Sequence, residues 1–302
     1  MATDQAAVVA AYLEHLSDSD LLLLTGQHTG HAYAAQLRDH LRSGRGDIAE
    51  LLASNRVYHE VFSRGQDPLL NASPFLVFSV AVEQVVRELR SATHITEQTG
   101  PHRGAVVFDV ERLREFASAP WVRLFLAELL ASFTRVASGS VLVPSRHGWR
   151  RQRFSELDPV RLAGLLDVVT EAERPGILRR LGDLALFLTG VFPGYVAREG
   201  FGPVAQARLF RAATPLRRDE APMRRGPAPV ALHDTDAVSL LEQLGRRWYE
   251  AAVKMVPAPV PANVAVLSQL PEHFSDARRI LSIITDRFLY PSRGEWFGLG
   301  TS

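Results

Sequence analysis

Helical-period apolar runs recur along this chain, several of them opened by a cap residue and a proline, and nothing else constrains its fold as strongly. Asn71-Ala-Ser-Pro74 places Ser73 at an N-cap and Pro74 at the first helical position, where the missing N–H costs nothing. Behind it, Phe75, Phe78, Val82, Val85, Val86 and Leu89 share one arc at about 100° per residue. A second run from Ser118, the expected cap, passes Pro120 and carries Val122, Phe125, Leu126, Leu129, Leu130 and Phe133 on one surface to about Val136.

Similar patterns predict helices over residues 7–16, 33–41, 48–62, 160–169, 177–192, 236–255, 263–270 and 275–289. Only residues 105–109, 140–143 and 149–154 read as strands, the last two as arms of a hairpin around Pro144 to Gly148. The expected fold class is therefore mainly α, an irregular multi-helix globular protein with a minor β-hairpin. No repeat of fixed period appears, which weighs against a helical solenoid. The organisation expected is a helical core region with the hairpin over residues 1–213, a proline- and arginine-rich loop or linker over 214–230, and C-terminal helices over 231–302 on the same core.

Composition removes whole classes of chemistry. With 34 basic residues against 33 acidic, the formal net charge of +1 excludes a globally basic coat for nucleic acid and leaves only local patches. The absence of cysteine excludes disulfides, a thiolate nucleophile, iron–sulfur clusters and Cys-zinc sites. Lys254 is the single lysine, so a Schiff base or a phosphate-binding lysine could be built only there. Asp4 precedes the first apolar residues, and no basic segment resembles the start of a signal peptide. The longest apolar stretch, residues 184–197, is too short for a bilayer and is broken by Pro193. The expectation is a cytoplasmic protein with no membrane partner.

Three groups of residues could carry chemistry. His28 and His31 lie three apart and could share a metal, but Gly30 stands between them with no carboxylate at a paired position, so surface histidines are the plainer assignment. Glu83, Glu128 and Asp183 sit within or beside the apolar stripes of long helices. Together they could hold a divalent metal or act as acid and base, and separately they would form core salt bridges with arginines such as Arg87, Arg135, Arg179 or Arg180. The third group, Arg146, His147, Trp149, Arg150, Arg151 and Arg153, surrounds a tryptophan with guanidinium forks suited to phosphates or carboxylates.

No serine-nucleophile motif and no glycine-rich nucleotide loop appears. The leading functional expectation is a non-catalytic interaction or regulatory protein with an unidentified protein partner and no cofactor. The alternatives are a helical enzyme or ligand-binding protein using the carboxylates, and a nucleic-acid-associated protein, or binder of small anions, using the arginine–tryptophan hairpin.

Overall fold

The computed structural model describes residues 2–26, 31–62, 67–100, 103–107, 109–145, 148–213, 236–256, 262–290 and 292–299. Most of these residues are helical, as the periodicity predicts. The expected linker at 214–230 lies outside the described residues. The chain divides into two compact units, one built from Met1–Arg135 with Arg279–Ser302, the other from Val136–Arg278.

The first unit opens with α1 (Ala2–His15), α2 (Asp18–Thr25), α3 (His31–Arg42), α4 (Ile48–Ala53) and α5 (Asn55–Phe62). Ser17 caps α2 through a reciprocal capping box with Asp20, and Gly26 ends it at φ 75°, a conformation glycine adopts without strain. Residues 48–62 form two helices rather than one, because Ser54 is extended (φ −66°, ψ 139°) between α4 and α5. α6 (Pro74–Leu89) begins where its cap predicts, with the Ser73 hydroxyl accepting from the Leu76 amide at 3.2 Å, and ends at Leu89 rather than near His94.

Where residues 105–109 read as a lone strand, the structure has a hairpin: β1 (Ile95–Gly100) pairs antiparallel with β2 (Arg103–Val107). Next come α7 (Val110–Ser118) and α8 (Pro120–Phe133). Ser118 ends α7 instead of capping α8, its hydroxyl donating back to the Glu115 carbonyl at 2.6 Å. Extended Ala119 separates the two helices, and Pro120 opens the second.

The second unit begins with the expected hairpin, β3 (Ser138–Ser145) against β4 (Gly148–Ser155). α9 (Pro159–Ala163), α10 (Arg174–Val191), α11 (Pro193–Glu199), α12 (Pro203–Ala212), α13 (Ala237–Lys254) and α14 (Ala262–Ile284) follow. Among the described residues, α10 and α13 share the most extensive helix–helix contact. Gly182 lets them approach, since a Cβ there would lie 2.8 Å from the Tyr249 ring. Gly245 likewise faces Phe274, at 2.5 Å for such a Cβ. The two C-terminal helices expected at 263–270 and 275–289 are one helix with a kink. Pro271 lies inside α14 and His273 departs from helical geometry (φ −104°, ψ 17°), while the Pro271 carbonyl accepts from Arg246 Nη1 at 2.6 Å.

From Arg279 the chain belongs to the first unit, which takes the end of α14, a π-helical turn (Thr285–Leu289) and α15 (Arg293–Trp296). Trp296 and Phe297 are buried beside Phe78, with ring centroids 6.1 and 5.8 Å away. The tail up to Phe297 is therefore anchored, and burial of one such aromatic is worth about 1.5–3 kcal/mol. Among the described residues no single helix is long and apolar enough to cross a membrane. α7 and α8 reach that character only together, across a 90° bend.

Candidate functional site

In the first unit, apolar packing of α6 on α8 carries one charged pair inside with it. α6 is buried all round from Phe75 to Val86, so Ser79 and Glu83, one turn apart, are enclosed along with the apolar side chains. Arg123, in the first turn of α8, is 9% exposed and donates from Nη1 to Glu83 Oε2 at 3.1 Å. Glu83 Oε1, Ser79 Oγ and Arg123 Nε are buried without a hydrogen-bond partner. Burial pushes the Glu83 carboxyl up to about 7, against the opposing pull of Arg123.

α1 covers the same region. Tyr12 is 3% exposed, and its hydroxyl is pushed far up, first by burial and then by the charge of Glu83. One turn on, His15 Nε2 meets Glu128 Oε1 of α8 at 2.9 Å, a bond that raises the imidazole above its ordinary value. The Glu83–Arg87 alternative does not form: Arg87 Nη1 donates to the Ala53 carbonyl and to Asn55 Oδ1.

Asp183 belongs to the second unit. It is 8% exposed on α10, where its Oδ1 accepts from the fully buried Tyr249 hydroxyl of α13 at 2.8 Å. Arg179 Nε approaches Oδ2 at 3.7 Å, whereas Arg180 turns to Glu156 at 2.9 Å. Burial, with the Asp183 charge and hydrogen bond, raises the Tyr249 hydroxyl well above its usual value. The three acids thus have separate partners: Glu83 with Arg123, Glu128 with His15, Asp183 with Tyr249 and Arg179.

Among the described residues no group of three or more metal-ligating side chains could hold an ion. His28 lies outside the described residues, and His31 begins α3.

Sequence reasoning missed a second polar cluster in this unit. Glu242 Oε1 accepts from Arg246 Nη2 at 2.7 Å and from the Ser275 hydroxyl, and Arg278 Nε lies 3.3 Å from Oε2. Burial alone would raise the Glu242 carboxyl, but the bonds from Ser275 and Arg246 and the Arg278 charge outweigh it and lower the value. The four-residue spacing of Glu242 and Arg246 was the available signal. With Arg246 also holding the Pro271 carbonyl, the cluster braces the kink of α14.

The β3–β4 ribbon is the remaining candidate. β3 carries no charged residue, and β4 carries Arg150, Arg151 and Arg153 without an acid. The register pairs Ser140 with Arg153, Leu142 with Arg151 and Pro144 with Trp149, so alternation puts positions 149, 151 and 153 on one face. That face is open at its centre: Leu142 is 66% exposed, and Arg151 is exposed with Nε donating to Ser140 Oγ at 2.6 Å. Arg146 and His147, in the connection, lie outside the described residues.

Compared with protein-family models, with curated proteins and with solved structures, the chain matches none. Two open, shallow hollows lie among the described residues of the second unit. One of about 570 Å³ is lined by Glu171, Ala172, Pro175, Met255 and Val256. The other, about 400 Å³, is lined by Val160, Gly202, Pro203, Val204, Ala205 and Arg208. None of the candidate residues lines either one.

Proposed function

We propose that this is a non-catalytic binding protein whose contact element is the β3–β4 ribbon and whose partner is a nucleic-acid strand. The observation that carries the reading is the ribbon face on which exposed Arg151 and Leu142 sit between positions 149 and 153, in a hairpin with three arginines and no carboxylate. Arginines two residues apart on a strand are spaced by about 7 Å, a pitch suited to successive phosphates of an extended strand. Trp149 holds a register position on the same face, and an indole is a residue type on which bases stack. The non-catalytic half of the reading draws support from the carboxylates, which are occupied in holding helices together: Glu83 ties α6 to α8 and Asp183 ties α10 to α13.

The test is a fluorescence-anisotropy titration with a labelled single-stranded oligonucleotide at several salt concentrations. Replacing Arg150, Arg151 and Arg153 with alanine is expected to weaken binding at least about tenfold near 0.1 M salt. It should also flatten the plot of log affinity against log salt by as many as about two units, because with fewer phosphate contacts binding releases fewer counterions. Trp149→Ala should weaken binding with the salt slope unchanged. Salt titrations of the triple variant that superimpose on those of the wild type would leave the arginines no part in binding.

A further inference from the structure

We propose that α1 is a proton-operated latch on the first unit, holding to α6 and α8 while His15 and Glu83 carry protons and letting go as they lose them. The geometry is that of a helix fastened at both ends of its inner face. Near the start, Asp4 Oδ1 accepts from Trp121 Nε1 of α8 at 2.8 Å. Val8, Val9, Tyr12 and Leu13 are buried along the middle. At the end, the His15 ring lies on Phe75 of α6, centroids 4.7 Å apart, while Nε2 reaches Glu128 of α8.

The groups acting on the two titrating residues come from every side. Glu83 feels Arg123 of α8, Asp47 at the start of α4 and Arg90 beyond the end of α6, and its charge is felt in turn by Tyr12 of α1. His15 feels Glu128 of α8 and Glu14 of α1. Other arginines nearby are engaged with other partners: Arg38 of α3 bonds the Leu13 carbonyl of α1 and Asp18, Arg114 of α7 bonds the Leu89 and Ala92 carbonyls, and Arg87 bonds Ala53 and Asn55 at the α4–α5 junction.

Both titrations act in the same direction. Protonated His15 is stabilised by Glu128 only while α1 is docked, so its contribution is complete below the ordinary imidazole value of 6.5 and is lost as pH rises through the higher docked value. Glu83 is enclosed in a seam where its neutral form is favoured up to about pH 7, against 4.5 in water. Lifting α1 takes Tyr12 away from the Glu83–Arg123 pair and lets water reach the carboxylate. Docking therefore favours the protonated acid, and its advantage shrinks as pH rises towards about 7.

Hydrogen–deuterium exchange of the full chain, with rates divided by the intrinsic exchange rate at each pH, reads the docking equilibrium of α1 directly. Between pH 5.5 and 8 the protection of residues 2–15 is expected to fall at least about tenfold, while that of residues 75–86 in α6 changes less. Glu83→Gln, which imitates the protonated acid, should leave α1 better protected at pH 8 than in the wild type, with only the His15 dependence remaining. His15→Gln, at a half-exposed position whose replacement leaves the core intact, should lower α1 protection at pH 5.5 towards its pH 8 value. Protection of α1 that does not change with pH in the wild type would overturn the proposal. So would a pH dependence that survives unaltered in both variants.

Discussion

Arg123→Ala is expected to cost about 3–5 kcal/mol of unfolding free energy at pH 8, the largest effect of any single replacement considered, because it strands the Glu83 carboxylate in the α6–α8 seam. Glu83 is 3% exposed and one of its oxygens already lacks a partner, so while α1, α6 and α8 stay packed no water takes the place of the guanidinium. The loss should be smaller at pH 5.5. There the carboxyl, already pushed up to about 7 with Arg123 present and higher without it, takes a proton instead of remaining a bare charge. The sign follows from linkage. A folded-state value above the solvent value means that the folded protein binds the extra proton between 4.5 and about 7, so stability from this group declines as pH rises through that window. The double replacement Glu83→Gln with Arg123→Met should recover most of the stability, since two partners removed together leave no orphaned charge. Urea unfolding at the two pH values, followed by circular dichroism, measures all of these.

The second large effect is expected at Asp183. Asp183→Ala removes the acceptor of the Tyr249 hydroxyl, which is fully buried between α10 and α13, and should cost about 2–3 kcal/mol. Asp183→Asn keeps a carbonyl oxygen for that hydroxyl. Arg179, 3.7 Å away and 39% exposed, can be hydrated when the charge is lost. The asparagine variant should therefore retain most of the stability, at a cost of about 1 kcal/mol. Tyr249→Phe should fall between the two, and Asp183→Ala made on top of it should cost less than Asp183→Ala alone, because both remove the same bond. Equal losses for asparagine and alanine in urea denaturation would show that the carboxylate charge, rather than the hydrogen bond, is what α10 requires.

These sites show what local sequence encodes and what it leaves out. α6 was legible because three independent signals agree over one stretch: the Ser73 cap, Pro74 at the first position and an apolar arc that continues to Leu89. α7 was not, since Asp109 makes no side-chain cap bond and Ser118, with Pro120 just beyond, reads as the start of a helix when it is the end of one. β1 is hidden in ITEQTG, whose polar residues carry no strand alternation, and it becomes a strand by pairing with β2.

The charged partners were harder still. Glu83 and Arg123 are forty residues apart, and Asp183 and Tyr249 sixty-six. The i, i+4 rule that nominated Arg87 sees only one helix face at a time. Burial of Tyr12 depends on how α1 meets the first unit, which nothing in its own helix shows. The β3–β4 register, by contrast, was nearly readable, because alternation and the turn residues of one short hairpin carry the information within eighteen residues.

The ribbon as contact element is tested most directly by amide chemical-shift mapping of the nitrogen-15-labelled protein during titration with a short single-stranded oligonucleotide. The result expected is a set of shifts concentrated on Ser138–Ser145 and Gly148–Ser155, growing to saturation and fading as salt is added. Saturable shifts confined to other elements, or no shifts at a concentration where anisotropy reports binding by neither wild type nor variant, would contradict it.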